Sequence, residues 1–319
     1  MHLAAVITYL KYKPAWLQLV IFGLITCATY IILGTLTEWA VNAFYGLNFQ
    51  DTLQPDLKNP TVVASLRVKQ ALLTIAFFGV SALFFAYKSD RLPLRYLGVK
   101  PPQPAVFWLI TLLALPAAMP FANWLNDFNH QLHLPGSMAS TENAIRAFEK
   151  RAEELTKALL NMRGTGDLLL MLLVVGVIPA VCEELFFRSV LQRIFIQITR
   201  RPWIGIVITA TLFSLFHGQM LGFLPRLFLG ILLGALYWYS GSIWMAMLAH
   251  FLNNAVQVLI YHYRRDLADA ENLMPPLLVI GSLLAVVAIF WYMRRISHTH
   301  YGELYDTDDD LVLPSSKDQ

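Results

Sequence analysis

The amino-acid sequence predicts an all-α membrane protein, a bundle of about eight transmembrane helices around a polar cavity. Three observations predict this. The chain has 319 residues, of which 57% are hydrophobic and 14% charged, and its mean hydropathy is +0.53. Its apolar residues fall into eight runs, each near the ~20 residues that cross a hydrocarbon core. Polar and charged side chains interrupt three of these runs, which is costly in lipid and typical of a functional site.

The charge and the cysteines exclude other classes. The formal net charge is +3 and the isoelectric point is about 8.8, but the basic residues cluster at the ends of apolar runs, where they orient a membrane protein. We therefore expect no nucleic-acid partner. The two cysteines, Cys27 and Cys182, lie inside apolar runs, which makes a secreted disulfide framework improbable.

The predicted spans share an apolar composition. The first follows Lys11 and Lys13; it is too long for the apolar core of a signal peptide, and no small-residue cleavage pattern follows it, so we expect a retained span. The fourth is noticeably longer than the others. In order, the spans are Trp16–Ala40, Gln70–Tyr87, Pro104–Trp124, Asp167–Ile198, Trp203–His217, Phe223–Tyr239, Ile243–Tyr263 and Pro275–Met293.

The basic residues of the short loops predict the orientation. If eight spans alternate, most of these residues fall on one side, which the positive-inside rule makes cytoplasmic. Both termini are then cytoplasmic, and the expected location is the bacterial inner (plasma) membrane. Arg264 and Arg265 are the exception, because they fall on the opposite side. The residues that carry the bias are Lys11, Lys13, Lys88, Arg91, Arg95, Lys100, Arg193, Arg200, Arg201, Arg294 and Arg295.

Two segments are predicted to lie outside the membrane. In Thr141–Met162, apolar residues are spaced alternately by three and four among many charges, which predicts an amphipathic helix. Ser140 or Thr141 is the expected N-cap and Gly164 the expected stop. The tail 301–319 is acidic and expected to be disordered. The sequence therefore divides into an N-terminal three-span region with this helix (1–166), a membrane core (167–300) and the tail.

The first polar cluster lies in the fourth span. Glu183 and Glu184 are adjacent, and Arg188 follows them by five and four residues. A helix places residues four apart on one face, so a carboxylate can reach the guanidinium. The pair Glu184 and Arg188 has two interpretations, an internal ion pair that fixes helix packing and a functional pair.

The second and third clusters lie in the fifth and seventh spans. Phe213 precedes His217 by four residues, and His250 precedes Asn254 by four. Counted from the connection at 199–202, Glu183 and His217 each lie about 15 residues along their helices, or roughly 22 Å at 1.5 Å per residue. His250 and Asn254 come to roughly 14 to 20 Å from Gly241 by the same rise. We therefore expect the clusters to meet around a water-containing cavity.

These residue types fit hydrolysis by an activated water. A glutamate beside a histidine can take a proton from water, and a second histidine with an asparagine amide can hydrogen-bond the oxyanion that forms. We expect no cofactor, although two histidines and a carboxylate are also adequate zinc ligands. The chain lacks an H-E-x-x-H motif. Serine catalysis is less favoured, because Ser189 and Ser214 lack a nucleophile-elbow context.

Two functions from other classes compete with an enzyme. One is a catalytically silent membrane immunity or adaptor protein that binds a peptide or a partner helix. The other is a proton-coupled carrier, since Glu and His clusters in spans also form proton relays. A carrier is expected to show paired broken helices in two related halves, which the sequence does not show.

The three clusters resemble, in order and spacing, the motifs of the CPBP family, the CAAX prenyl proteases and bacteriocin-processing or immunity proteins, also called the Abi family. The quoted motifs are Glu183-Glu184-x-x-x-Arg188, Phe213-x-x-x-His217 and His250-x-x-x-Asn254. The resemblance covers about Asp167–Tyr263. Three motifs in order are specific, whereas one alone is not.

The resemblance implies a glutamic-type intramembrane endopeptidase. It makes Glu183 the general base and His217 its partner in holding the water. His250 and Asn254 become the oxyanion stabilisers, while Glu184, Arg188 and Phe213 are supporting motif residues. The implied partner is a peptide or protein, either prenylated at its C-terminus or bacteriocin-like, met within the lipid bilayer.

Overall fold

The structure is a computed structural model that describes residues 9–265 and 274–299. Within those ranges it is helical and contains no strand, which confirms the predicted fold class. The predicted acidic tail lies outside the described residues. We label the nine longer helices of the described chain α1 Ala15–Tyr45, α2 Pro60–Ser89, α3 Phe107–Gln131, α4 Ala139–Leu159, α5 Thr165–Thr199, α6 Pro202–Phe216, α7 Phe223–Ser240, α8 Ile243–Tyr263 and α9 Pro276–Ile296.

All eight predicted spans correspond to helices, and in the described chain seven are long and apolar enough to cross a membrane. The exception is α6. Its 15 residues extend only about 22 Å at 1.5 Å per residue, less than the ~30 Å hydrocarbon core. The fifth predicted span is therefore the shortest of the eight, and its length alone does not cover the hydrocarbon core. His217 follows directly as the C-cap residue of this short helix.

α2 begins ten residues before its predicted start at Gln70. The added turns carry Arg67 and Lys69, both largely buried. Arg67 donates to the carbonyl oxygen of Leu159 over 2.9 Å, and Lys69 Nζ lies 2.6 Å from Glu38 Oε2. Both cations have partners, so they are accommodated inside the helix. The helix therefore begins before these charged residues and not after them.

A tight hairpin connects α5 to α6. Arg200 adopts a left-handed conformation (φ 54°) at the C-terminus of α5, and Pro202 occupies the first turn of α6, where its missing N–H costs nothing. The two helices approach closely at Gly205, since a Cβ there would lie 2.5 Å from Ile196 Cγ1. This hairpin fixes the relative position of the first two polar clusters.

One hydrophobic cluster joins the N-terminal spans to the core. The Phe22 ring of α1 lies 5.1 Å from that of Phe85 and 4.7 Å from that of Phe186, between centroids. The same cluster includes Phe107 of α3 and Ile206 of α6. Residues on both sides of the predicted 166/167 boundary therefore share one core.

Hydrogen bonds and ion pairs group the loops into two ends. At one end, Lys11 pairs with Asp90 at 3.0 Å, and the hydroxyl of Ser242 donates to the carbonyl oxygen of Lys100 over 2.5 Å. At the other end, Asn129 donates to the carbonyl oxygen of Met220 over 3.0 Å. Spans that alternate in direction would place the same loops together at each end.

The amphipathic helix is present as α4, but its predicted ends are wrong. Met138 is the N-cap and offers no side-chain cap, while Ser140 and Thr141 lie inside the helix. Gly164 precedes α5 and does not stop α4, which ends at Leu159.

Glu142 fastens the preceding segment to the first turn of α4. Its carboxylate bonds His133 Nδ1 at 2.8 Å and accepts from the backbone N–H of Leu134 over 2.9 Å. With a further bond from Arg146, these contacts lower the pKa of Glu142 to about 2. Apart from Phe148, which is exposed, the apolar stripe of α4 is half-buried or buried, as expected for a helix that packs on the spans.

Candidate active site

The first cluster lies on α5 between two stretches of wider π-helical geometry. These are Leu172–Val177 and Leu185–Gln192. Such segments often occur at functional sites because they alter the direction in which side chains project. Glu183 and Glu184 immediately precede the second stretch, which contains Arg188. Nothing in the sequence predicts these two stretches.

Glu184 is the centre of a buried ionic network. Its side chain is fully buried, and Oε1 lies 2.8 Å from His250 Nδ1, while Oε2 lies 3.1 Å from Arg188 Nε. Glu184 therefore bridges α5 to α8 and compensates the Arg188 charge. The sequence predicted the pairing with Arg188 and missed the contact with His250.

Arg188 extends this network to α6 and α7. Its guanidinium lies over the Phe213 ring, 4.6 Å from the centroid, and its Nη2 donates to the carbonyl oxygen of Gly230 over 3.3 Å. One turn later Gln192 donates to the carbonyl oxygen of Gly234 over 3.1 Å. Two polar side chains thus hold α7 against α5.

His217 is held by the backbone of its own helix. Its Nδ1 lies 2.8 Å from the carbonyl oxygen of Phe213, and a carbonyl can only accept, so Nδ1 carries the proton. In the neutral ring Nε2 is then an acceptor, able to receive a hydrogen bond from water. The Phe213 ring lies between the two imidazoles, 5.0 Å from His217 and 5.8 Å from His250 between centroids.

His250 and Asn254 are both anchored to α5. His250 Nδ1 forms a hydrogen bond with the Glu184 carboxylate. The other ring nitrogen, Nε2, stays available for a second hydrogen bond. Asn254 Nδ2 donates to the carbonyl oxygen of Val175 over 3.0 Å, inside the first π-helical stretch. Asn253 Nδ2 donates to Asn254 Oδ1 over 3.2 Å. These bonds fix the amide beside the imidazole.

A cavity of about 270 Å³ lies among these helices. His217, His250 and Asn254 all line it, so the second and third clusters meet as predicted. Glu183 is half-buried and lies in electrostatic range of His250, Glu184 and Arg188, but it is not among the residues that line the cavity. The lining residues are Leu115, Phe213, His217, Gln219, Arg226, Leu229, Leu232, Leu233, Ala249, His250, Asn253, Asn254 and Gln257.

Both serines considered from the sequence have structural partners. The hydroxyl of Ser214 donates to the carbonyl oxygen of Phe223 over 2.7 Å, which ties the end of α6 to the start of α7. The hydroxyl of Ser189 donates to the carbonyl oxygen of Leu97 over 2.6 Å and does not line the cavity. Both bonds stabilise helix connections.

The sequence did not reveal three polar residues of the cavity, Gln219, Arg226 and Gln257. Arg226 lies in the first turn of α7, inside a span predicted from apolar composition alone. The rule that an ionisable residue within a span marks a functional site would have identified it. Among the described residues, no group of three or more His, Cys, Asp or Glu side chains is placed to hold a metal ion.

Fold and site together define a polytopic helical membrane protein with a polar cavity inside the bundle. Residues 165–256 match the family model described as type II CAAX prenyl endopeptidase, Rce1-like. The match spans less than a third of the chain and contains all three polar clusters. It confirms the resemblance of this segment to the CPBP and CAAX protease family, which is a family of proteases. No curated protein and no solved structure gives a significant match.

Proposed function

We propose that the protein is an intramembrane endopeptidase in which Glu183 is the general base. The observation that carries this proposal is the meeting of His217, His250 and Asn254 on one cavity, inside the segment that matches a protease family. The substrate is a peptide or protein met in the bilayer, prenylated at its C-terminus or bacteriocin-like.

Hydrolysis begins with water held at the cavity. Glu183 removes a proton from this water while His217 Nε2 accepts a hydrogen bond from it. The oxygen adds to the carbonyl carbon of the scissile peptide, which forms a tetrahedral oxyanion. The proton on Glu183 then passes to the amide nitrogen as the C–N bond breaks, which releases a carboxylic acid and an amine.

The two histidines suit different tasks because their Nδ1 partners differ. His217 bonds a neutral carbonyl oxygen, which supports a neutral ring that accepts from water. His250 bonds the Glu184 carboxylate, which can compensate a positive charge on the ring. A protonated His250 would present Nε2–H to the oxyanion beside the Asn254 amide.

Cleavage of a farnesylated peptide by the purified protein in nanodiscs tests the proposal. Wild-type protein should release a defined C-terminal fragment, seen by mass spectrometry, and dialysis against a metal chelator should leave the rate unchanged. Asn254→Ala should lower kcat about 10²- to 10³-fold, by analogy with oxyanion donors in soluble hydrolases. The matched control is Val256→Ala, on the exposed face of the same helix and outside the cavity.

Three outcomes would count against the proposal. Loss of activity on chelation would favour the zinc alternative. Full activity of Asn254→Ala would show that Asn254 does not stabilise the oxyanion. Binding of the peptide without cleavage, together with unimpaired complementation of a deletion strain by Glu183→Gln, would favour the adaptor.

A further inference from the structure

Arg226 is a cation in the cavity that the proposed reaction does not use. It lies in the first turn of α7, is half-buried, and lines the same cavity as His217 and His250. Its charge also acts on His217. The guanidinium therefore lies beside the proposed site of peptide-bond cleavage.

Neutral groups hold this guanidinium. Nη1 donates to Gln219 Oε1 over 3.2 Å, and Nη2 donates to the backbone oxygen of the same residue. Nε is buried and has no hydrogen-bond partner. An arginine has five N–H donors, so three of those of Arg226 have no acceptor among the described residues.

Arg226 forms no salt bridge with a carboxylate of the described chain, in contrast to Arg188. Glu149 of α4 acts on it electrostatically, but one oxygen of Glu149 accepts from the backbone N–H of Leu221 over 2.9 Å and the carboxylate is not in contact with the guanidinium. A half-buried cation without an ionic partner is costly. An anionic ligand would remove that cost.

The guanidinium of Arg226 lies directly against Gly222 in the loop before α7. A Cβ on Gly222 would lie 2.6 Å from Arg226 Nη1 and 2.9 Å from its Cζ. Gln219 therefore holds the planar group through two hydrogen bonds, and Gly222 lies against it. A pre-positioned guanidinium fork matches the two oxygens of a carboxylate.

We propose that Arg226 and Gln219 form an anion subsite that binds the free C-terminal carboxylate of the peptide substrate. This assignment rests on the proposed function and names a specificity-determining residue for it. It places the C-terminus of the substrate beside His217, so the bond that is cleaved lies close to that terminus. A lipid phosphate carries the same chemistry and is the other source of an anion.

Binding of two matched peptides tests the subsite independently of cleavage. The probes are fluorescein-labelled farnesylated peptides with one apolar sequence, made as the C-terminal acid and as the C-terminal amide. Their affinity for Glu183→Gln protein in nanodiscs is measured by anisotropy. The acid should bind about 10- to 100-fold more tightly, the range expected for hydrogen bonds to a charged group.

Variants in the same background assign that difference to Arg226. Arg226→Gln should weaken binding of the acid to the level of the amide, and Arg226→Lys should retain part of the difference. Gly222→Ala should reduce it without removing the charge, because its Cβ displaces the guanidinium. Lys150→Gln, which removes one charge from the exposed face of α4, should leave it unchanged.

Equal affinity for the two peptides, or a difference that persists in Arg226→Gln, would overturn the subsite while leaving the proposed function intact. An Arg226→Gln effect that is equal for both peptides and depends on phosphatidylglycerol in the nanodisc would assign Arg226 to a lipid phosphate instead. Failure of both peptides to bind would overturn the substrate class and the subsite together.

Discussion

At the residue scale, the two adjacent glutamates have different environments. Glu184 is fully buried between Arg188 and His250, whereas Glu183 is half-buried and forms neither contact. A carboxylate held by a guanidinium and an imidazole N–H is poorly suited to accept a proton from water. Glu183 is thus better suited to be the base, and Glu184 to position His250.

Removing the charge of Glu184 should destabilise the fold. Glu184→Gln keeps an oxygen that can accept from His250 but leaves the buried Arg188 uncompensated, which typically costs about 3 to 5 kcal/mol. Unfolding in mixed detergent micelles measures this. The control is Glu153→Gln, which breaks the exposed pair with Lys157 and should cost under about 1 kcal/mol. Equal stability of the two variants would contradict the network.

At the element scale, small residues set how closely α7 approaches α5 and α6. A Cβ on Gly234 would lie 2.7 Å from Gln192 Oε1 and 2.9 Å from Ile206 Cγ2. Gln192 also donates to the carbonyl oxygen of Gly234. The added atom would therefore push α7 away from α5 and α6, the helices that carry the first two clusters.

Gly234→Ala should therefore destabilise the protein by about 1 to 3 kcal/mol, the usual cost of overpacking. Gly23→Ala is the matched control, because nothing lies within 4 Å of a Cβ there and alanine favours a helix by about 0.5 to 1 kcal/mol. Thermal unfolding in detergent should shift in opposite directions for the two variants. A stable Gly234→Ala protein would show that the approach is looser than described.

The short α6 explains why one histidine stands at a cavity rather than inside a helix. The chain turns at Gly218, with φ +67°, directly after His217. A longer helix would continue past this point and fill the space that His217, Gln219 and Arg226 line. The sequence predicted the position of His217 but treated its helix as an ordinary span.

At the scale of the whole molecule, the two groups of loops predict the topology. Lys100 contacts Ser242 at one end, and Lys157 lies on α4 near the other. We propose that the Lys100 end is cytoplasmic, as are both termini. Single cysteines at Lys100 and Lys157, with Cys27 and Cys182 replaced by serine, should react with an impermeant maleimide from opposite sides of the membrane. Labelling from the same side would contradict the arrangement.

The sequence predicted much of the architecture, because the positions of the helices depend on composition and periodicity. Apolar runs gave the helices, and four-residue spacings placed His250 with Asn254 and Glu184 with Arg188. It did not show which glutamate reaches His250, because this depends on the π-helical stretches of α5. Nor did it reveal that Arg226 has no ionic partner among the described residues. Contacts between distant helices cannot be deduced from local spacing.

The central claim is that Glu183 activates the water, and the most direct test is the single-turnover cleavage rate of Glu183→Gln. The change keeps nearly the same volume and removes the base. We expect the rate to fall at least about 10²-fold, the lower range for general-base catalysis, while peptide affinity and thermal unfolding match the wild type. A Glu183→Gln protein that folds, binds and cleaves at the wild-type rate would contradict the claim.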